Sequence, residues 1–292
     1  MKKIKLNTQK EVDAFVGTNI TGDLVIQGAD IDDLSPLSTL TSVGGDLKIL
    51  FNPSLANFDG LRKLASVGGG FWMYRCDSLT NLDGLRDLAS VGGELMISGN
   101  KLLTNLDGLS NLASVRALGV QLNAALTDLD GLGKLNSVDG DLWLFRNPSL
   151  TNIDGLSNLT SVGENLEIKN NHALANLNGL NKIASVGWDL VVQNNPSLTN
   201  LEGLSNIISV SGALSIMDNS ALTSLDGLNN LNSVGVDLWI RINPALTNID
   251  GLSNLTSVGG TIYIEYNPDL ANLDGLKILT EIKDIGNLKW KR

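Results

Sequence analysis

The 292-residue chain is poor in the residues on which most catalytic and metal sites depend. It contains a single histidine and a single cysteine. One cysteine excludes an internal disulfide, and no zinc-ligand spacing, phosphate-binding loop or nucleophile motif is present in the sequence. His172 follows a repeated asparagine at a predicted turn, where a solvated residue is more typical than a general base. We therefore expect no catalytic residues, no bound metal and no cofactor.

Positive charge and long apolar segments are also scarce. The 21 basic residues against 31 acidic ones give a net charge of −10, and no basic run is present, so a nucleic-acid partner is not expected. No segment approaches the roughly 20 apolar residues of a membrane-spanning helix. The first residues are basic but lack the apolar core of a signal peptide. This start fits a cytoplasmic protein and equally a surface protein whose leader has been removed.

What the chain does contain is a six-residue stretch, L-x-I-x-x-N, that recurs every 23 or 24 residues. A fixed period in this range is typical of a solenoid, in which each repeat buries its apolar face against its neighbours. It predicts one continuous domain of about eleven coils. A clear copy is 142–147, and the others begin at Leu24, Leu47, Phe71, Leu95, Leu118, Leu166, Leu190, Leu214, Leu238 and Ile262.

The first residue of the stretch defines position 1 of each coil. Positions 1 and 3 are apolar in every copy, which predicts a strand with one buried side. Apolar residues at positions 9, 12, 15, 18 and 21 should complete the core. A 24-residue coil with several turns has no room for a long helix, so the fold class should be mainly β, with short strands joined by turns.

Two polar positions also repeat. Position 6 is asparagine in nearly every coil, with Cys76 as an exception. We expect its buried amide to bond backbone groups of its own and the next coil, and Cys76 to be a buried structural residue. Position 13 is usually aspartate followed by glycine, which predicts a turn with a carboxylate accepting backbone N–H groups and a glycine at positive φ. The stacked carboxylates could hold calcium, but Asn178 breaks the row, so the turn role is favoured.

The ends of the chain depart from the period. We predict an N-terminal cap at 1–22 with a short helix near 8–16, the repeat solenoid at 23–284 and a C-terminal cap at 285–292, in which Trp290 covers the last coil. The coil at 118–141 is one residue short, and a local kink is expected there.

The repeated unit S-V-G-G-D-L-x-I-x-x-N-P-x-L-T-N-L-D-G-L is carried most fully at 42–61, 137–156 and 257–276. It resembles the bacterial branch of the receptor L-domain family, and residues 7–15 are similar to that family's N-terminal cap. The resemblance implies a right-handed, leucine-rich-repeat-like solenoid that binds ligands at a cell surface. Growth-factor binding does not carry over, because the cysteine-rich modules of animal receptors are absent.

The outward positions 2, 4 and 5 vary from coil to coil while the rest of the coil stays nearly constant. They hold eight of the aromatic residues in a chain whose aromatic content is 4%, and Trp, Tyr and Arg dominate binding hot spots. The candidate ligand-binding residues are Phe51, Trp72, Tyr74, Arg75, Met96, Trp143, Phe145, Arg146, Trp239, Arg241, Ile242, Tyr263, Glu265 and Tyr266.

These features favour a non-enzymatic recognition protein that binds a macromolecular partner, protein or glycan, along a face of roughly 38 Å at the usual strand spacing. A structural or adhesion scaffold of a cell surface and a consensus-type repeat scaffold are the alternatives. A carbohydrate-active enzyme is less favoured, because the non-repeating acids Glu94, Glu167 and Glu265 are scattered rather than paired. We expect a monomer, extracellular or on the cell surface, with the cytoplasm as the alternative location.

Overall fold

The computed structural model describes residues 3–282 and 288–291, without the side chains of 280–282. One strand from each coil joins a parallel sheet that runs the length of the chain, and a second row of two-residue strands lies on another side of the coils. In chain order the strands are β1 (Ile4–Leu6), β2 (Asn19–Ile20), β3 (Leu24–Ile26), β4 (Ser42–Val43), β5 (Leu47–Leu50), β6 (Ser66–Val67), β7 (Phe71–Tyr74), β8 (Ser90–Ser98), β9 (Ser114–Gln121), β10 (Leu142–Phe145), β11 (Leu166–Lys169), β12 (Ser185–Val186), β13 (Leu190–Gln193), β14 (Ser209–Val210), β15 (Leu214–Met217), β16 (Ser233–Val234), β17 (Leu238–Arg241), β18 (Ser257–Val258), β19 (Ile262–Glu265) and β20 (Leu288–Lys291).

Equivalent positions of successive coils pair in register along the main sheet. Leu142 pairs with Leu118 on one side and with Leu166 on the other. The main path runs β1-β3-β5-β7-β8-β9-β10-β11-β13-β15-β17-β19-β20. Since each coil repeats the same positions, the register stacks apolar residues on apolar residues and confirms a mainly β solenoid.

The remainder of each coil turns through a short 3₁₀ helix in place of an α-helix. A three-residue 3₁₀ turn reverses the chain within the few residues that a 24-residue coil leaves available. The α-helices are α1 (Gln9–Asp13) and α2 (Lys277–Ile282). The 3₁₀ helices are Ser35–Leu37, Asp59–Leu61, Asp83–Leu85, Asp107–Leu109, Asp130–Leu132, Asp154–Leu156, Asn178–Leu180, Glu202–Leu204, Asp250–Leu252 and Asp274–Leu276.

A single apolar core runs along the axis of the solenoid. Positions 1, 3, 9, 12, 15, 18 and 21 are buried, as predicted from the period. In the coil that starts at β10 these residues are Leu142, Leu144, Leu150, Ile153, Leu156, Leu159 and Val162.

The repeated asparagines form a buried ladder inside the turn that follows each main strand. Nδ2 of Asn147 donates to the carbonyl of Val120 at 2.9 Å, and its Oδ1 accepts from the backbone N–H of Asn123 at 3.1 Å. Each amide therefore reaches back to the preceding coil, and the expected bond to the next coil was wrong in direction. The bond to its own coil occurs at Asn195, whose Nδ2 lies 3.1 Å from the carbonyl of Gln193.

Cys76 interrupts the ladder without opening it to solvent. Its backbone N–H still donates to Oδ1 of Asn100 at 3.0 Å, and its Sγ lies 3.8 Å from the carbonyl of Ile49. Burial raises the pKa of the Cys76 thiol to about 11, although hydrogen bonds from Asn52 partly oppose the rise. The residue is therefore a neutral, buried thiol at physiological pH, which agrees with its expected structural role.

The Asp-Gly turns differ from the prediction in both partners. The N–H of Asp154 is bonded by Oδ1 of Asn152 at 3.1 Å, so the asparagine two residues earlier supplies the acceptor. Among the described turn glycines only Gly227 has a positive φ, of 83°. The glycine is required because the coils approach closely: a Cβ on Gly155 would lie 1.8 Å from the carbonyl oxygen of Leu129.

Both ends of the sheet carry an added strand. At the N-terminus β1 pairs with β3, and α1 is shorter than expected, with Thr8 as its N-cap. At the C-terminus the helix α2 was not predicted, and β20 pairs with β19. Trp290 keeps 44% of its surface exposed, so it covers the end of the core only in part. No helix among the described residues is long and apolar enough to cross a membrane.

The short coil at 118–141 is accommodated in the neighbouring strand. A register shift between Val91 and Glu94 separates the two paired segments of β8 and β9. The missing residue is thus absorbed by an irregularity in the sheet, and the main-sheet register on either side is kept.

Candidate functional site

The outward side chains fall into two sets that the sequence did not separate. Positions 2 and 4 lie within the strands and are half-buried, as at Trp143 and Phe145. Position 5 lies just after the strand in a left-handed conformation, with a φ of 53° at Arg146 and 56° at Ile242. The expectation that positions 2, 4 and 5 share one strand face is therefore wrong for position 5, which forms a separate row along the strand ends.

This left-handed row differs between the middle and the ends of the solenoid. A non-glycine residue in this conformation costs on the order of 1 kcal/mol, and Asn and Asp tolerate it best. The middle coils place Asn170, Asn194 and Asp218 there. The coils nearer the ends place large or apolar side chains in the same conformation, namely Phe51, Arg75, Leu122, Arg146, Ile242 and Tyr266.

Trp72 is held in place from three sides. Its Nε1 donates to Oε2 of Glu94 at 3.0 Å, and Nζ of Lys48 lies 4.6 Å from its ring centroid. Gly70 lies beneath the ring, since a Cβ there would come within 2.1 Å of the indole. The indole is therefore fixed before any ligand arrives.

Asp46 supports this arrangement from one coil earlier. Its carboxylate lies 3.1 Å from Nζ of Lys48 and accepts from the N–H of Gly70 at 3.1 Å. Burial alone would raise the pKa of Asp46, but the bonds from Lys48 and Gly70 and the charges of Lys48 and Lys3 together lower it. Asp46 thus stays ionised at neutral pH and orients the lysine over the indole.

A shallow hollow, which we call the basin, lies beside Trp72. Its volume is about 410 Å³, and Ser98 and Met96 form part of its lining. Ser98 is only 1% exposed and its Oγ has no hydrogen-bond partner. The complete lining is Lys48, Leu50, Trp72, Tyr74, Met96, Ser98 and Gln121.

The rim of the basin is extended on both sides by aromatic contacts. Phe51 meets Tyr74 edge to face, with ring centroids 5.0 Å apart, and Arg75 lies 5.4 Å from the Tyr74 ring. On the far side, a Cβ on Gly119 would lie 2.4 Å from Cε of Met96 and 3.4 Å from the Trp143 ring. The absent side chain of Gly119 therefore brings Trp143 next to the basin.

The middle of the face is more polar. Phe145 lies beneath Nζ of Lys169 at 5.3 Å, and Lys169 forms an ion pair with Glu167. Arg146 is exposed beyond the strand end and lines an edge depression with His172. This section separates the basin from a second aromatic group.

That second group, which we call the ridge, is formed by the strands β17 and β19. Trp239 and Tyr263 stack with centroids 3.8 Å apart and an interplanar angle of 10°. The Arg241 guanidinium lies 5.7 Å from the Trp239 ring and 5.8 Å from the Tyr266 ring. Its Nε is 3.0 Å from Oε2 of Glu265, but the geometry is that of an ion pair and not of a hydrogen bond. The side chains of the ridge therefore largely satisfy one another.

The structure brings the predicted residues into these two groups, with Trp143, Phe145 and Arg146 between them. Sequence reasoning missed Lys48, Gly70, Glu94, Ser98 and Gly119. The signal was present: these are small or charged residues at positions two residues before a tryptophan or one coil away from a large side chain.

The three non-repeating acids are each occupied by a neighbour on the face. Glu94 accepts from Trp72, and Glu167 and Glu265 pair with Lys169 and Arg241. In the row of turn carboxylates, burial raises the pKa of Asp130, and the nearby acids Asp128, Asp154 and Asp107 raise it further. Within residues 3–282 and 288–291, no group of three or more His, Cys, Asp or Glu residues is arranged to hold a metal ion.

Comparison with known proteins gives likenesses only at the level of structure. No family model matches the chain, and no curated protein matches it. The solved structures include internalin C2 from Listeria monocytogenes, at 21% identity over 72% of this chain and 82% of that one, with a TM-score of 0.46. An internalin inlF from the same species has 13% identity over 98% and 89% of the two chains, with a TM-score of 0.43.

A leucine-rich repeat protein from Bacteroides thetaiotaomicron has 12% identity over 94% of this chain and 51% of that one, with a TM-score of 0.24. The chain has a leucine-rich-repeat-like solenoid fold. That assignment rests on the register of the strands and the repeated 3₁₀ turns of this chain.

Proposed function

We propose that this leucine-rich-repeat-like protein is a non-enzymatic recognition protein whose outward strand face binds a macromolecular ligand. The observation that carries the proposal is the contrast between a nearly constant coil and variable outward positions rich in aromatic residues and arginine. A face selected only for stability would not need the left-handed, exposed side chains of Phe51 and Ile242.

The geometry of the face supports a large ligand. The strands β7 and β19 are eight coil steps apart, which corresponds to roughly 38 Å at the usual strand spacing. Trp72 is already oriented by Glu94 and Lys48, so little side-chain ordering is needed on binding. We place the protein outside the cell or on its surface, on the resemblance of the repeat unit.

A structural or adhesion scaffold is the second candidate. It is favoured by the ridge, where Trp239, Arg241 and Tyr263 satisfy one another without a ligand. Under that alternative the aromatic rows would serve to stiffen the stacked coils. The two candidates differ in whether a macromolecule requires the outward tryptophans.

The test uses the replacement of Trp72, Trp143 and Trp239 together by Ala. Wild type is screened against a displayed peptide library and a glycan array, and every binder is measured again on the triple variant. We expect binding to be lost while the circular dichroism spectrum is unchanged, because the three rings lie outside the core.

The matched control is Trp188→Ala. Trp188 is 55% exposed but lies away from the strand positions 2, 4 and 5, so this variant should bind as wild type does. Binders that hold equally well to the triple variant would place the site elsewhere, and the absence of any binder would favour the scaffold.

A further inference from the structure

The most informative group on the strand face is the hydroxyl of Ser98. Its side chain is 1% exposed, and its Oγ finds no hydrogen-bond partner in the part of the chain that the structure describes. Buried hydroxyls without partners are uncommon, and each asks for an explanation. Ser98 also lines the basin, so its free hydroxyl is available to a group that enters there.

The basin exists because small residues occur where the neighbouring coils have large ones. Along position 4 the coils place Tyr74, Ser98 and Gln121 side by side, and Ser98 is the smallest of these. Along position 2, Trp72 is followed by Met96 and then by Gly119. The result is a depression walled by large side chains with a hydroxyl at its base.

The chemistry of the walls selects the kind of ligand. Leu50, Trp72, Tyr74 and Met96 present mainly apolar surface, and Nζ of Lys48 is already engaged by Asp46 and by the Trp72 ring. A sugar would bring several hydroxyls into this apolar hollow, where few partners could satisfy them. An aromatic side chain would pack against the Met96 thioether and the indole, and a single polar group at its tip could reach Ser98.

We propose that the basin receives one aromatic side chain with a polar tip, tyrosine being the simplest case, from a protein partner. The ring fills the hollow between Trp72, Tyr74 and Met96, and the Ser98 hydroxyl hydrogen-bonds the tip. This inference rests on the proposed function and narrows its ligand from protein or glycan to protein. A buried aromatic anchor in a pocket is a common form of interface hot spot.

Methionine methyl groups give a direct readout. The protein is labelled with ¹³C at the methionine methyls; the sequence has four methionines, of which Met96 lines the basin and Met73 is buried in the core. Met217 lines the depression beside Trp239 and reports on non-specific binding to the ridge. The probes are N-acetyl-tyrosinamide, N-acetyl-phenylalaninamide and methyl β-glucopyranoside.

We expect N-acetyl-tyrosinamide to shift the Met96 methyl signal with a dissociation constant on the order of 1 mM, as befits a small fragment. The phenylalanine probe should bind several-fold more weakly, because it leaves the Ser98 hydroxyl unpartnered. The glucoside should leave Met96 unchanged, and the Met73 and Met217 signals should stay constant with every probe.

Two substitutions separate the hydroxyl from the hollow. Ser98→Ala keeps the hollow but removes the hydroxyl, so the tyrosine probe should lose its advantage over the phenylalanine probe. Ser98→Leu fills the hollow and should abolish the response to both. An unchanged Met73 signal shows that the variant has folded, and the alanine variant decides the matter alone if the leucine variant does not fold.

Several results would overturn the proposal. A Met96 shift with the glucoside alone would make the basin a glycan subsite, and equal shifts at Met96 and Met217 would mean non-specific adsorption. If no probe moves Met96, the basin is not a receptor for a side chain. If, in that case, library binders still depend on Trp72, the proposed function stands and only the aromatic anchor is wrong.

Discussion

On each main strand the inward side chains repeat from coil to coil, whereas the outward side chains between them change at every step. Leu142 stacks between Leu118 and Leu166, and the adjacent Trp143 lies between Gly119 and Glu167. Inward residues are fully buried, so any change of size is transmitted to both neighbouring coils. Outward residues are half-exposed, so unlike neighbours are tolerated. Stability and recognition are thus assigned to alternate residues of the same strands.

The largest expected effect breaks this comparison at two consecutive residues. Leu142→Ala should lower the free energy of unfolding by about 2–5 kcal/mol, because it leaves a cavity between stacked leucines. Trp143→Ala should lower it by much less, because its ring is half-exposed. Urea denaturation of the two free proteins measures both values, and equal losses would mean that the inward and outward assignments are wrong.

The second prediction concerns the one interruption of the inward ladder. Cys76→Asn should raise the free energy of unfolding by about 1 kcal/mol, the usual contribution of a hydrogen bond, because the new amide can reach the carbonyl of Ile49. Burial raises the pKa of the Cys76 thiol from 9.0 to about 11 in the folded chain. The folded state therefore holds the proton more tightly, and stability attributable to Cys76 falls as pH rises from 9 to 11.

The asparagine variant lacks this titration, so it should lose less stability than wild type over the same pH range. Thermal melts of both proteins at several pH values measure the difference. Parallel pH profiles for the two would show that the thiol is not protected by burial as the structure indicates.

The third prediction concerns the outward side and the strain in the left-handed row. Ile242→Gly should raise the free energy of unfolding by roughly 1 kcal/mol, because a β-branched residue is poorly suited to a φ of 56°. Asn170→Gly is the matched control and should change it by less, since asparagine tolerates this conformation. Equal gains in chemical denaturation would mean that residue type at position 5 carries no particular strain.

The smallest expected effect lies on the turn side, away from both the core and the strand face. Repulsion from Asp128, Asp154 and Asp107 adds to burial in raising the pKa of Asp130. Its protonation therefore favours the folded state, and Asp130→Asn should raise stability at neutral pH by less than about 0.5 kcal/mol. Adding EDTA should leave the melting temperature unchanged. A large drop with the chelator would instead assign calcium to this row.

The sequence was sufficient for the fold because the period, the strand alternation and the asparagine ladder all specify one stacking. Glycine at the turn was read correctly as a repeated requirement but for the wrong reason. The cause is the approach of the preceding coil, as at Gly155, and such a contact spans 24 residues and has no local signal. The departure at Gly227 likewise replaces a 3₁₀ turn that the pattern alone predicts.

The site was predictable in its large residues and not in its small ones. Trp72 and Tyr74 stand out in any comparison of the coils, but the hollow between them depends on Ser98 and Gly119. A serine or glycine becomes informative only when the coils are aligned and its neighbours across the sheet are known. The left-handed row had one clue, the Asn170, Asn194 and Asp218 of the middle coils, which the residues at the two ends obscured.

The common register of the coils has a consequence for how such a molecule can change. The basin near β7 and the ridge near β17 are seven coil steps apart, or roughly 34 Å at ~4.8 Å per strand. Duplication or loss of one polar coil between them would alter that separation by a single strand spacing and leave the contacts inside both groups intact. The number of coils therefore acts as a molecular ruler that sets the distance between two recognition elements independently of their composition.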